Sequence, residues 1–165
     1  GVTAVILSPW AVQRSREVNS IRKEGLPSML NYGLMVDKDS MFNTPNTFGI
    51  FALERVLAWV ERQGGLGDVA LQNKRKAELL YSELDASEFW KPHADRRSRS
   101  QMNVTWKSAN PDLDSVFLAE ADKQMLKGLK GHRSVGGIRA SIYNACPLDS
   151  VEALVAFMQD FRQKH

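Results

Sequence analysis

Cysteine is all but missing from this chain. Cys146 stands alone among 165 residues, so no intramolecular disulfide can form, and with 3 histidines there is no cluster at metal-ligand spacing. A reducing, cytoplasmic setting is the simplest expectation for such a composition. No run approaches the roughly 18 consecutive apolar residues of a membrane-spanning helix. The stretch from Gly1 to Leu7 has neither a basic leader nor a signal-peptide layout. Internal repeats and low-complexity tracts are also absent. Charge of one sign is scarce too: a net +3 favours anionic ligands weakly and lacks the concentration of a dedicated nucleic-acid binder.

What is present is a chain that is 43% apolar, enough for one substantial core. Val2 to Leu7 is β-branched and nearly continuous in apolarity, which predicts a strand buried on both faces. Gln13 to Gly25 is polar and reads as a surface excursion. Thr44-Pro45 predicts a helix start, a capping hydroxyl followed by proline at the first helical position. Phe48, Phe51, Ala52, Val56 and Trp59 follow at helical spacing, and Gly64-Gly65 predicts the stop.

A second helix is expected from about Leu66 to Ala86, with Val69, Leu80 and Leu84 inward and Lys74, Arg75, Lys76 and Glu78 mostly outward. After a charged stretch from His93 to Ser100, Met102, Val104 and Trp106 alternate as a strand. Leu113, Val116, Phe117 and Ala121 give a helix, and Gly137 to Tyr143 a second strand. Val151, Leu154, Val155 and Met158 give a closing helix with Asp149 as its N-cap. Residues from about 87 onward thus predict a small α+β unit.

Chemistry concentrates in Gly131-His132-Arg133-Ser134-Val135-Gly136-Gly137-Ile138-Arg139. Arginine offers a planar fork of donors that matches carboxylate or phosphate oxygens two at a time, and glycines let backbone amides approach a ligand. In the strand after Gly137 the alternation puts Ile138, Ala140 and Ile142 on one face and Arg139, Ser141 and Tyr143 on the other. Asn43-Thr44, an amide and a hydroxyl at a helix N-terminus, form a neutral corner able to take a phosphate, although from local pattern alone the simpler reading is that Thr44 only caps its helix. His93, His165 and Cys146 have no partners at motif spacing and read as structural or surface residues. Arg96 to Ser100 is a basic loop without interleaved aromatics, read as a solvated linker and not as a nucleic-acid contact.

The run from Gly131 through Asn144 to Ala145 resembles the C-terminal signature of phosphoserine aminotransferases, and Met41-Phe42-Asn43-Thr44-Pro45-Asn46-Thr47-Phe48 resembles a second signature of that family. The resemblance extends along the chain, through Gln72 to Tyr81 and the Leu148 to Leu154 stretch. It implies a fold class of α/β to α+β: the tail of a fold-type-I large domain over 1–86, then the small C-terminal domain over 87–165. It implies pyridoxal 5'-phosphate as cofactor, with Asn43 and Thr44 reaching the phosphate of the cofactor bound in the neighbouring subunit of a homodimer. His132 and Arg133 are implied to hold the substrate phosphate and Arg139 the α-carboxylate, for transfer of an amino group from glutamate to 3-phosphohydroxypyruvate.

The family's Schiff-base lysine corresponds to a position upstream of Gly1, so no catalytic residue is assigned here and the isolated chain is expected to be inactive. A non-catalytic module for anion binding or dimerisation is the alternative. The departures are few: Asn46 stands where a second proline is common, Ile138 and Cys146 replace methionines, and the polar stretch over residues 13–24 is longer than usual. Neither a nucleic acid nor a membrane is expected as partner.

Overall fold

A computed structural model describes residues 1–165, which pack as two compact units, Gly1–Trp59 and Val60–His165. No helix is long and apolar enough to cross a membrane.

In the first unit, the expected strand at Val2 to Leu7 is not formed: the segment pairs with nothing, and Ile6 is 99% exposed. A strand is made by its neighbours, and β-branching alone supplies none. The polar stretch after it is a helix and not an irregular excursion, α1 (Pro9–Ile21). Its start is written in Ser8-Pro9: the Ser8 hydroxyl accepts from the Ala11 amide at 3.2 Å, and proline occupies the first turn. The buried Ser15 hydroxyl accepts the Gly33 amide at 3.2 Å, tying α1 to α2 (Tyr32–Asp37), and Arg16 donates to Asp37 at 2.6 Å.

Helix α3 (Thr47–Arg62) begins later than the Thr44-Pro45 signal predicts. Asn46 is its cap, with Oδ1 accepting the Gly49 amide at 2.9 Å, so the residue that departs from the family's proline does the capping instead of Thr44. No residue of α3 is buried.

The second unit contains the core. Gly64, at φ 93°, turns the chain into α4 (Gly65–Asp85), whose Leu80 and Leu84 are buried. Short β1 (Trp90–Pro92), unpredicted because three residues show no alternation, pairs antiparallel with β2 (Asn103–Ser108), which pairs antiparallel with β3 (Ile138–Ser141). Helices α5 (Asp112–Lys123) and α6 (Leu148–Lys164) complete the unit. In α6 the cap position is Pro147 and Asp149 lies inside the first turn, so the expected aspartate cap becomes a favourable charge at the positive end of the helix.

One face of the sheet is apolar: Trp90, Val104, Trp106 and Ile138 are at most 1% exposed and pack with Phe117 and Phe161. Trp90 meets Phe117 edge-on at 5.4 Å between centroids, and burying each such ring is worth roughly 1.5–3 kcal/mol. Because α4 donates its apolar side to this core, it packs with the second unit, although the sequence grouped it with residues 1–86. The buried carboxylate of Glu83 accepts from Trp90 Nε1 at 3.3 Å and Arg162 Nε at 3.1 Å, joining α4, β1 and α6.

The basic loop is not merely solvated. Arg99 donates both guanidinium nitrogens to Asp85 at 2.7 Å and lies over the Tyr81 ring at 4.5 Å. The Arg99 hydrogen bonds hold the Asp85 carboxyl below the usual aspartate range. A carboxyl lowered in this way stabilises the fold above its unfolded pKa of about 3.9, and the contribution is lost as pH falls through the folded value. Asp85→Asn should therefore cost about 1 kcal/mol at neutral pH, and its deficit should shrink as the pH drops toward acid. Urea midpoints of both proteins, followed down to the lowest pH at which they stay folded, check this; a deficit that is constant with pH contradicts it.

Candidate functional site

The site is built on the face of the sheet opposite the core. Trp106 and Ile138 are register partners that both point inward, so Thr105 and its partner Arg139 both point outward. The alternation predicted for the strand holds in full: Ile138, Ala140 and Ile142 are buried, while Arg139 and Ser141 are half-buried and Tyr143 is exposed.

Ahead of β3 the chain makes a closed loop. The Gly131 amide donates to the Gly137 carbonyl at 2.9 Å, and the Gly136 amide donates to the His132 carbonyl at 2.7 Å. A Cβ on Gly131 would stand 2.1 Å from the Gly136 oxygen, and Gly137, at φ 71°, would bring one to 2.7 Å from the Trp106 oxygen. These two positions therefore require glycine, and the closure lifts His132 to Gly136 over the outer face of the sheet.

Within this loop the Ser134 amide donates to His132 Nδ1 at 3.3 Å. An amide nitrogen can only donate, so His132 Nδ1 accepts here, with Ser134 Oγ also 2.7 Å away, and Nε2 makes no hydrogen bond within the chain. Arg139 keeps a buried Nε with no hydrogen-bond partner. A buried guanidinium donor left open is costly, which is the expected state of a group whose acceptor is a ligand.

His132, Val135, Gly136, Arg139, Thr105 and His93 are among the residues around a cavity of about 110 Å³. Ligand pockets for whole small molecules run to roughly 300 Å³ or more, so this one is too small to enclose a whole substrate. A larger cleft of about 420 Å³, walled by Leu126, Leu129, Ile142, Cys146 and Val151, is mainly apolar, and its one charged lining residue, Lys127, is paired with Asp122 at 2.7 Å.

Structure thus brings His132 and Arg139 to one cavity. Arg133 is exposed in the same loop and forms no ion pair. Asn43 and Thr44 belong to the first unit; both are exposed, Thr44 makes no hydrogen bond, and Asn43 has only a 3.9 Å contact to Met29 Sδ. Their polar atoms are free to bind a phosphate.

Sequence reasoning missed two neighbours of the site. His93, read as a surface residue, lies on this cavity because its amide donates to the Thr105 carbonyl at 3.0 Å, extending the β1 register by one outward-facing position. Lys76, read as mostly outward, is 2% exposed. Its ammonium donates to the carbonyls of Ile142 at 3.1 Å, Tyr143 at 2.7 Å and Cys146 at 3.0 Å, filling all its donor directions. Burial lowers its pKa, with Cys146 acting in the opposite sense. Spacing could have shown it: Lys76 shares one helix face with Val69, Asn73, Leu80 and Leu84. Next to it, Asn73 donates to Asn144 Oδ1 at 2.8 Å.

The residues over 1–154 match the family model of class-V aminotransferases. The chain belongs to that family. Among its relatives, the phosphoserine aminotransferase of Shouchella clausii is 50% identical over 166 residues, covering 100% of this chain and 44% of the relative. That of Geobacillus kaustophilus is 48% identical over 165 residues, again covering 44% of the relative. The chain therefore spans less than half the length of the curated relatives it matches, in their C-terminal part.

Among solved structures, a phosphoserine aminotransferase described for radiation damage of its Schiff base superposes with a TM-score of 0.82 at 44% identity, over 91% of this chain and 42% of that one. A PLP-bound phosphoserine aminotransferase from Trichomonas vaginalis gives a TM-score of 0.74 at 36% identity, over 81% of this chain and 39% of that one. The fold expected from the sequence, a fold-type-I aminotransferase region, is the one this class-V chain shares with these structures.

Lys76 supports the site by fixing the exit of β3. Replacing it with methionine keeps the stem and removes the ammonium, so the carbonyls of Ile142 and Cys146 lose their donor and that of Tyr143 keeps only the Cys146 amide. Lys76→Met is expected to cost about 2–4 kcal/mol in a urea unfolding experiment. A loss below about 0.5 kcal/mol would show that these bonds contribute no more than an average surface contact.

Proposed function

We propose that this chain is the C-terminal region of a pyridoxal 5'-phosphate-dependent phosphoserine aminotransferase, which moves an amino group between glutamate and 3-phosphohydroxypyruvate. The observation that carries the reading is the convergence of His132 and Arg139 on one small cavity, with a buried Arg139 donor left without a partner. In this reading, residues 1–86 are the tail of the large domain and residues 87–165 the small domain of the complete, cytoplasmic enzyme. The complete enzyme is a homodimer whose subunits share each site. The exposed apolar residues of α3, Phe48 at 78% and Phe51 at 56%, need such cover.

Asn43 and Thr44 would hold the cofactor phosphate, with the uncommitted Thr44 hydroxyl and Asn43 amide as the donors. The bound cofactor supplies the electron sink that makes amino-group transfer possible. This chain's own part is to bind and orient substrate. Arg139 takes the α-carboxylate through its fork, and His132 Nε2 and Arg133 take the phosphate. A phosphate monoester carries about −1.5 to −2 charge, so more than one cationic donor is required to bring it out of water. Tyr143 donates to Asn103 Oδ1 at 3.2 Å, as does Ser141 Oγ at 3.0 Å, which stiffens the strand end beside Arg139.

Steady-state kinetics of Arg139→Lys in the complete enzyme test the reading. A compact ammonium cannot reproduce the two-point grip, so KM for glutamate should rise at least about tenfold, the loss of roughly one charge-assisted hydrogen bond. An unchanged KM sinks the assignment of Arg139. The isolated chain should show no transamination, and measurable turnover by it would overturn the view that the catalytic lysine lies outside it.

A further inference from the structure

The outer face of the sheet carries more basic side chains than the substrate-binding residues named so far. Across it, His93, Thr105 and Arg139 form one row from β1 to β3, because the His93 amide donates to the Thr105 carbonyl at 3.0 Å and Thr105 is the register partner of Arg139. In the next row Lys91 partners Lys107. The stem of Lys107 lies over Gly137, where a Cβ would stand 2.8 Å from its Cγ and 3.3 Å from its Cε. Both His93 and Lys107 line the cavity that His132 and Arg139 share.

No carboxylate neutralises this group. Lys91 is paired with Glu88, but His93, Lys107, His132, Arg133 and Arg139 have no acidic partner within 4.0 Å. Lys107 and Arg139 are thus gathered at the cavity without a counter-charge, unlike Arg99, which pairs with Asp85, and Arg162, which pairs with Glu83. An anion that enters the cavity relieves the repulsion between Lys107 and Arg139, and the imidazoles of His93 and His132 can donate to it.

We propose that His93 and Lys107 are further substrate-binding residues of this site, where the row His93–Thr105–Arg139 and the Lys107 stem over Gly137 bring them to the cavity holding His132. His93 contacts the phosphate group that His132 holds, and Lys107 adds charge at the rim. This rests on the reading of His132 as a phosphate ligand, and it makes the site selective for 2-oxo acids whose far end is a dianion over those that end in a neutral group.

The test uses the chain's histidines. It has 3, His93, His132 and His165, so the ring signals in a ¹H–¹³C spectrum can be assigned by single substitution. His165, at the end of α6 and 4.4 Å from the Phe161 ring, serves as the internal reference. Inorganic phosphate titrated at fixed pH and ionic strength should move the His93 and His132 signals along one isotherm and leave His165 still. Lys107→Met, an exposed position that the core does not use, should weaken that isotherm about three- to tenfold.

If His132 moves while His93 stays, or if Lys107→Met leaves the affinity unchanged, the proposal is overturned and the anion site itself stands. If neither His93 nor His132 moves, the phosphate-site reading falls and the proposal with it. Equal movement of all three histidines marks general ion association and also overturns it.

Discussion

Lys76 is the residue on which the geometry of the site turns. Its ammonium reaches from the middle of α4 to the carbonyls of Ile142, Tyr143 and Cys146, backbone groups that follow β3, of which Tyr143 alone has a second donor, the Cys146 amide. The bend after β3 is thereby anchored to a helix packed on the core, and the strand that carries Arg139 is held at its exit. At its entry the same strand is held by the closure of Gly131 on Gly137. Arg139 lies between these two constraints, which fix it without engaging its side chain. This is what a binding residue needs: a rigid backbone and donors left free for the ligand.

The two faces of the sheet divide the work. Inward, Trp106, Val104 and Ile138 join Phe117 and Phe161 in a core that excludes water. Outward, the same strands offer Thr105, Arg139 and Lys107, and the register ensures that every apolar position has a polar one beside it. Hydrophobic burial therefore positions the cations, although none of the cations contributes to the core. Tyr143 shows the coupling: its hydroxyl and that of Ser141 both donate to Asn103 Oδ1, at the end of the strand that carries Arg139.

Long periodic segments were the legible part of this fold. The apolar stripes of α4 and α6, the alternation in β2 and β3, and the glycine stop after α3 are local signals that tertiary packing reinforced. What failed depended on partners. Val2 to Leu7 has strand composition but no strand beside it, whereas Trp90-Lys91-Pro92, too short to show a pattern, is a strand because β2 lies alongside. Helix α1 was hidden by its polar sides, although Ser8-Pro9 announced it. At the site, the motif around His132 and Arg139 was readable because glycine and arginine carry their chemistry locally. His93 was not, since its place depends on a cross-strand bond to residue 105, and Lys76 resembled Lys74 until its side of the helix was considered.

The distribution of buried surface separates two kinds of binding. Every residue of the core cluster, from Ala77 to Phe161, lies in the second unit, so the cavity of His132 and Arg139 rests on a body that supplies its own packing. Asn43 and Thr44 have no such support: Phe42 and Phe48 on either side are 41% and 78% exposed, and α3 buries nothing. A helix apolar around most of its circumference requires cover from another surface. Under the proposed function that cover comes from the rest of the enzyme and its partner subunit, so grip on the cofactor phosphate depends on assembly. In the same reading, recognition of the substrate's anion is set by strand register and two glycines within the second unit, and it can be measured on this chain by itself.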